Sequence, residues 1–369
     1  MPESFPVPVR DDLREIEPYG APQLDVPVRL NTNETPEPPP AAFTELLAQR
    51  LAGLELNRYP DRRAFELRAE LGARVGLPAE QTWVANGSNE ALTQLFQAYG
   101  GPGRKVLFAL PGYSAHPLLA RVASTDSVYV ELDAGLQLSE AAVRAAIEER
   151  DPDLICFANP HNPSGMRIPP EIFRTVHDAS RALVIADEAY VEFAARGAHA
   201  SPSESAVGLL GELERLVVCR TFSKAFSLAG LRLGYLYTHQ WVIDGIRKVR
   251  LPYHVDAVKQ EAGLAALELA DEAMAHITRT VDERERVSAA LQELGLQVWP
   301  SAANFLLFRP DAQSSAHPPA RGIFDALLER GVLIRDFSTS PGLTGCLRVS
   351  IGTRDENDAF LKALEETLS

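Results

Sequence analysis

Between residues 106 and 220 apolar residues gather into short runs at 106–110, 127–131, 154–158, 182–186 and 216–220. Between the runs they recur every three or four positions, at 115–123, 139–150 and 170–180. A short run rich in apolar residues fits a strand buried on both faces, and the three-to-four spacing fits a helix with one apolar face. Strands and helices in alternation predict an α/β fold with a largely parallel central sheet covered by helices.

The flanks read differently. Residues 1–45 are rich in proline and polar groups, with PEPPP at 36–40, and predict an irregular N-terminal arm. Helical spacing follows at 42–51 and again over 63–75, on Phe65, Leu67, Leu71 and Val75, with Tyr59 in the loop between. A strand at 83–85 then leads through NGSNEAL into a helix over 89–99. Beyond a strand at 235–238 the pattern turns helical, and one long stretch over 256–295 predicts a bent connector. Short strands at 298–300, 303–308, 332–334 and 346–351, with helices near 322–330 and 355–367, predict a smaller α+β unit, and SSAHPPAR at 314–321 reads as an exposed loop. The chain thus divides into an arm (1–45), a large domain (46–262) and a small C-terminal domain (263–369).

Composition narrows the partners. A length of 369 residues supplies core for both domains, and 46% hydrophobic with 23% charged residues is the balance of a folded, soluble protein. A formal net charge of −14 repels phosphate backbones, so neither nucleic acid nor an anionic membrane is the expected partner, and an anionic ligand needs local arginines. MPESFPVPVRDD has neither a basic start nor an apolar segment, and no run reaches membrane-spanning length, so a cytoplasmic protein is expected. Cys156, Cys219 and Cys346 are odd in number and scattered, which favours buried free thiols over a disulfide framework. No His or Cys cluster has ligand spacing, so no metal is expected.

Candidate chemistry gathers where the predicted strands end. Lys224 is one of only five lysines, and it alone lies among small, hydroxyl-bearing and apolar neighbours, in TFSKAFSLAGLRLGY. An amine in such surroundings loses basicity by desolvation and, once neutral, can attack a carbonyl. Ser223 offers a hydroxyl beside it, and Arg232 a planar fork suited to phosphate. Asp187 in IADEAYVEF closes the preceding strand and could pair with a protonated ring nitrogen, with Tyr190 three residues on. In FANPHNPSG two Asn-Pro steps aim Asn162 at whatever the sheet edge binds, and Tyr113 in LPGYSAH could lay its ring against a flat ligand. Gly87, Ser88 and Asn89 open a helix whose free N–H groups suit a phosphate, although a plain N-cap by Ser88 reads equally well. Taken singly, each of these residues also fits a solvated charge or an ordinary turn.

Their order is more specific. NGSNE, PGY, NPHNPSG, DEAY, SKAFSLAGLRLGY and LRVSIGT together resemble, over nearly the whole chain, the fold-type I aminotransferases that use pyridoxal 5′-phosphate. EPYG, RLNTNETP, NRYPD and GVLIRDF with GCLRVSIGTR draw the resemblance toward the histidinol-phosphate branch. The resemblance implies that Lys224 forms an imine with the cofactor and carries a proton between the substrate α-carbon and the cofactor C4′. It implies that Asp187 keeps the pyridinium nitrogen protonated and that Asn162 and Tyr190 bond the 3′-oxygen. Gly87, Ser88 and Asn89 with Ser223 and Arg232 would grip the phosphate, Tyr113 would stack on the ring, and Tyr59 would reach the phosphate of a neighbouring subunit, making a homodimer the expected form. Arg335 and Arg348 would bind the acidic end of each substrate, with Tyr19 and the segment around Asn33 covering it.

The implied reaction moves an amino group between L-histidinol phosphate and 2-oxoglutarate, in histidine biosynthesis. Asn89, His161 and Ser164 stand where this family more often has aspartate, asparagine and threonine. Side branches share the cofactor residues, so enzymes acting on aromatic amino acids or decarboxylating a phosphorylated threonine stay open at this point. So does a regulatory protein that only senses the cofactor, although this acidic chain has no evident DNA-binding segment ahead of the fold.

Overall fold

The computed structural model describes residues 7–14, 16, 18, 20–196, 205–310 and 318–369. Thirteen strands run through the described residues. They are β1 (Val28–Arg29), β2 (Thr82–Ala85), β3 (Lys105–Leu110), β4 (Asp126–Glu131), β5 (Leu154–Ala158), β6 (Leu183–Asp187) and β7 (Leu216–Thr221), followed by β8 (Gly234–Thr238), β9 (Leu296–Val298), β10 (Phe305–Pro310), β11 (Val332–Leu333), β12 (Arg335–Asp336) and β13 (Leu347–Ser350).

Seven of them form one sheet in the order β2-β8-β7-β6-β5-β3-β4. Pairing is parallel throughout except at β8, which runs antiparallel to both β2 and β7. Successive strand residues serve opposite faces. Val184, Ala186 and Val218 pack into one core, and Ile185, Cys156 and Cys219 into another on the far side. Burial on both faces is why these strands read as near-continuous apolar runs. The three cysteines are buried free thiols.

A second, antiparallel sheet has the order β12-β13-β10-β9 and its own core around Phe308, Ile323, Leu327 and Phe360. The arm is not wholly irregular: β1 pairs in parallel with β11, and Leu30 continues the tie through its N–H to the Leu333 carbonyl at 2.8 Å. A two-residue strand is too short to show alternation, so nothing in the pattern marked it. β9 begins two residues before the predicted strand, directly after the turn at Gly295 (φ 76). The predicted long helical connector is three helices, Ala257–Glu268, Ala270–Met274 and His276–Glu293. The expected loop at 314–321 falls partly outside the described residues, and a helix already begins at Ala320. No helix among the described residues is long and apolar enough to cross a membrane.

Beneath the rim of the large sheet lies a buried ion pair. Glu188, directly after β6, accepts from Arg220 of β7 through Nε (3.2 Å) and Nη2 (3.0 Å), from the Ser205 hydroxyl (2.7 Å) and from the Ala206 N–H (2.6 Å). Its side chain is fully buried and that of Arg220 is 7% exposed, so the carboxylate is satisfied by four donors and clamps the ends of two adjacent strands. Glu188→Ala leaves the guanidinium buried without its counter-charge. The expected loss is roughly 3 kcal/mol or more, read as a lowered urea midpoint with an unchanged slope.

Candidate active site

Four parallel strands that are neighbours in the sheet, β3, β5, β6 and β7, end at one rim. Tyr113 follows β3, Asn162 follows β5, Asp187 closes β6, and Lys224 lies three residues beyond β7. In an open α/β sheet the carboxyl ends of the strands are where ligands bind. The four residues line one cavity of roughly 330 Å³.

Asp187 is 5% exposed. Its Oδ2 is 2.9 Å from His116 Nε2, and because a carboxylate oxygen accepts, that contact places the imidazole proton on Nε2. Its Oδ1 is buried and has no hydrogen-bond partner. A buried, unpaired carboxylate oxygen facing a cavity calls for a donor, and a protonated ring nitrogen supplies one.

At another part of the cavity, Ser88 and Asn89 open the helix Ser88–Tyr99 beside Ser223 and Arg232. Ser88 is not the N-cap. That position belongs to Gly87 (φ 88), and no side chain caps the helix start. A Cβ on Gly87 would lie 2.8 Å from Arg232 Nη2, so glycine is what lets the guanidinium close on the helix end. Arg232 donates through Nη1 to Ser223 Oγ at 3.3 Å, and Ser223 also meets the Thr221 hydroxyl at 2.9 Å. Two helix N–H groups, a hydroxyl and a guanidinium make a cradle for a phosphate dianion.

Lys224 lies between these groups. Burial is the largest cause of its lowered basicity, and Arg348 and Arg232 add to it against an opposing pull from Glu34, bringing the ammonium down to about 8. Nζ donates to the carbonyls of Asn33 (2.7 Å) and Thr32 (3.2 Å) and stands 5.7 Å from the Tyr190 ring centre. The backbone around it is held as well. The Thr35 hydroxyl donates to the Lys224 carbonyl at 2.6 Å, and His276 Nε2 meets the Ala225 carbonyl at 2.8 Å.

Both predicted arginines reach the same cavity, from the second sheet. Arg335 and Arg348 are register partners across β12 and β13. Arg348 is buried and donates to Asn162 Oδ1 (2.7 Å) and to the Asn31 carbonyl (3.0 Å). Holding Asn162 by its amide oxygen turns the amide nitrogen the other way, which suits a ring oxygen that accepts. Asn33 also lines the cavity, yet it is 1% exposed and its amide is engaged by Tyr190 and Ser350.

Two predicted residues are not brought in. Tyr59 is 79% exposed, lines no part of this cavity and stacks on Tyr253, ring centres 4.3 Å apart. Tyr19 lies outside the described residues. Two of the three departures from the family pattern explain one another. His161 faces the Pro111 carbonyl through Nε2 (3.0 Å), so that nitrogen carries the proton and Nδ1 accepts from Ser164 Oγ (2.8 Å). Burial lowers His161 to about 4 and keeps it neutral as a tie between the loops after β3 and β5. Sequence reasoning missed His116, His276 and Ser350. Only His116 carried a signal, three residues after Tyr113 at the start of the helix Ala115–Val122.

The model of the aminotransferase class I and II family matches residues 26–364. Histidinol-phosphate aminotransferase of Frankia casuarinae is 44% identical over 375 residues, covering 98% of this chain and 91% of the relative. The enzyme of that name from Mycolicibacterium smegmatis is 46% identical over 369 residues, covering 97% and 92%. The crystal structure of histidinol-phosphate aminotransferase from Sinorhizobium meliloti in complex with pyridoxal-5′-phosphate superposes with a TM-score of 0.81 at 26% identity, covering 93% of this chain and 91% of that one. The mostly parallel sheet, the desolvated lysine at its rim and the unpaired aspartate oxygen agree with these likenesses, and the chain belongs to the aminotransferase class I and II family, the pyridoxal-phosphate enzymes of fold type I.

Proposed function

We propose that this chain transfers the amino group of L-histidinol phosphate to 2-oxoglutarate, in the cytoplasm and as a homodimer, with pyridoxal 5′-phosphate in the cavity at the sheet rim. The observation that carries the reading is the half-buried, desolvated Lys224 amine sharing that cavity with an Asp187 oxygen that has no donor. Relatives 44% and 46% identical that bear the histidinol-phosphate name support the substrate.

When bound, the cofactor supplies a protonated pyridine that withdraws electrons from the substrate α-carbon. Asp187 Oδ1 holds the proton on that ring nitrogen, while His116 fixes the carboxylate through Oδ2. Ser88, Asn89, Ser223 and Arg232 grip the phosphate, and Tyr113 covers the ring. Asn162 and Tyr190 serve the 3′-oxygen. Lys224 Nζ takes the donor's α-proton. With its acidity near 8, roughly a tenth of it is neutral at pH 7, against almost none for a free lysine. Arg348, with Arg335, binds the phosphate ester of the donor and the carboxylate of the acceptor in turn, since a guanidinium fork accepts two oxygens from either.

The dimer is supported by what one chain leaves uncovered. Leu56, Tyr59 and Leu251 are each more than 70% exposed, and the Tyr59–Tyr253 stack lies in the open. The family resemblance implies that a second copy covers this face, with Tyr59 reaching that copy's phosphate cradle.

Two measurements test the reading. Lys224→Ala is expected to lower turnover by at least ~10²–10⁴-fold, the range for a positioned proton carrier, and Arg348→Gln to lower kcat/KM about a hundredfold or more for acidic donor and acceptor alike. A panel of amino donors with 2-oxoglutarate is expected to favour histidinol phosphate; preference for an aromatic amino acid, or carbon dioxide release from a phosphorylated threonine, would overturn the substrate. The pH dependence has a definite sign. Only the neutral amine attacks the cofactor aldehyde, so incorporation of pyridoxal phosphate, followed by absorbance, accelerates with pH through a midpoint near 8. Arg348→Met removes a neighbouring cation and moves that midpoint up.

A further inference from the structure

Asn33 has left-handed backbone (φ 55), and each of its polar groups has a partner. Its N–H donates to Ser350 Oγ at 2.8 Å, and its carbonyl accepts from Lys224 Nζ at 2.7 Å and from Asn304 Nδ2 at 3.2 Å. In the side chain, Oδ1 is 3.1 Å from the Ser350 hydroxyl and Nδ2 is 3.1 Å from the Tyr190 phenol oxygen.

This chain of bonds runs in one direction. Ser350 Oγ accepts from the Asn33 N–H and donates its own proton to Asn33 Oδ1. With Oδ1 engaged by the serine, the NH₂ end of the amide faces Tyr190, and it can only donate. The phenol oxygen therefore receives a proton from Asn33, and the phenol's own proton must point elsewhere. Tyr190 lines the cavity in company with Asn162 and Asp187. A hydroxyl that accepts one hydrogen bond is also a stronger donor in the next.

We propose that Asn33, locked by Ser350, is a positioning residue that sets Tyr190 as a hydrogen-bond donor toward the cofactor's 3′-oxygen. The inference rests on the pyridoxal-phosphate reading above. Ser350 is two residues from Arg348 on β13, so the strand that presents the anion-binding arginine also sets the polarity of the phenol.

The readout is the pH midpoint of the bound cofactor's visible absorption band, with thermal melting as a check on folding. A donor at the 3′-oxygen stabilises the negative charge left there when the neighbouring proton departs, so a weaker donor raises the midpoint. Asn33→Gly removes the amide and tolerates φ 55. The expected rise is about half a pH unit for Asn33→Gly, more for Tyr190→Phe and less for Ser350→Ala, with no added rise from Asn33→Gly in the Tyr190→Phe background. A midpoint that Tyr190→Phe moves and Asn33→Gly does not, or an Asn33→Gly shift that persists without the phenol, overturns the role of Asn33 and leaves the cofactor reading standing. Should Asn33→Gly not fold, Ser350→Ala carries the same comparison, and an unmoved midpoint there overturns the lock. A wild-type chain showing no pH-dependent band with pyridoxal phosphate overturns both.

Discussion

Desolvation of one amine governs the site. Lys224 loses water by burial and feels two arginine charges, which together bring its ammonium down to about 8. An amine whose basicity is lowered by desolvation needs a rigid surround, because any opening that readmits water restores it. Rigidity comes from four sides. Two backbone carbonyls take the amine's protons, Thr35 and His276 hold the carbonyls of Lys224 and Ala225, and the Glu188–Arg220 pair ties β6 to β7 just below. The same parallel pairing that makes β6 and β7 neighbours delivers Asp187 and Lys224 to a common cavity.

The segment 31–35 is where the two sheets communicate. Its carbonyls and side chains bond Lys224 and Tyr190 of the large sheet's rim and Arg348 and Ser350 of β13. It reaches that place because β1 pairs with β11 and the Leu30 carbonyl accepts from the Ser350 N–H at 2.9 Å. A stretch that looks like an arm in its composition is thus a packed element, with Asn31 and Asn33 buried. Proline and polar residues mark the absence of helix or sheet periodicity, and they carry no information about burial.

What the sequence made legible follows from range. β5 and β7 lie where the apolar runs put them, within a residue, because a strand buried on both faces announces itself locally. Asp187, Asn162 and Lys224 were legible because each sits at or just beyond such a run, and the parallel rhythm implied one shared edge. His116 was hidden because its partner is 71 residues away, on a strand that is not its neighbour in the chain. The bond between Ser350 and Asn33 was hidden in the same way, across 317 residues, although the segment around Asn33 itself was legible. The bland alternative for Ser88, a simple N-cap, fails on a local detail that only coordinates supply: Gly87 takes that position and leaves the helix N–H groups to the cavity.

The arginine pair argues for an anion independently of any likeness. Arg335 and Arg348 are direct partners in an antiparallel ladder, an arrangement in which like charges repel. Each is softened by an aromatic face, Phe337 at 5.8 Å from Arg335 and Phe305 at 5.1 Å from Arg348, and Arg348 also spends two donors on Asn162 and Asn31. Those contacts are neutral, so the charge itself is not cancelled by them. In a chain of net charge −14, two adjacent cations at one cavity are a local exception to the repulsion of anions. A phosphate ester and a dicarboxylate present different shapes but the same demand. The planar, permanently charged fork of an arginine suits either group, so the same two side chains at this cavity would serve both without a change in the strands that carry them.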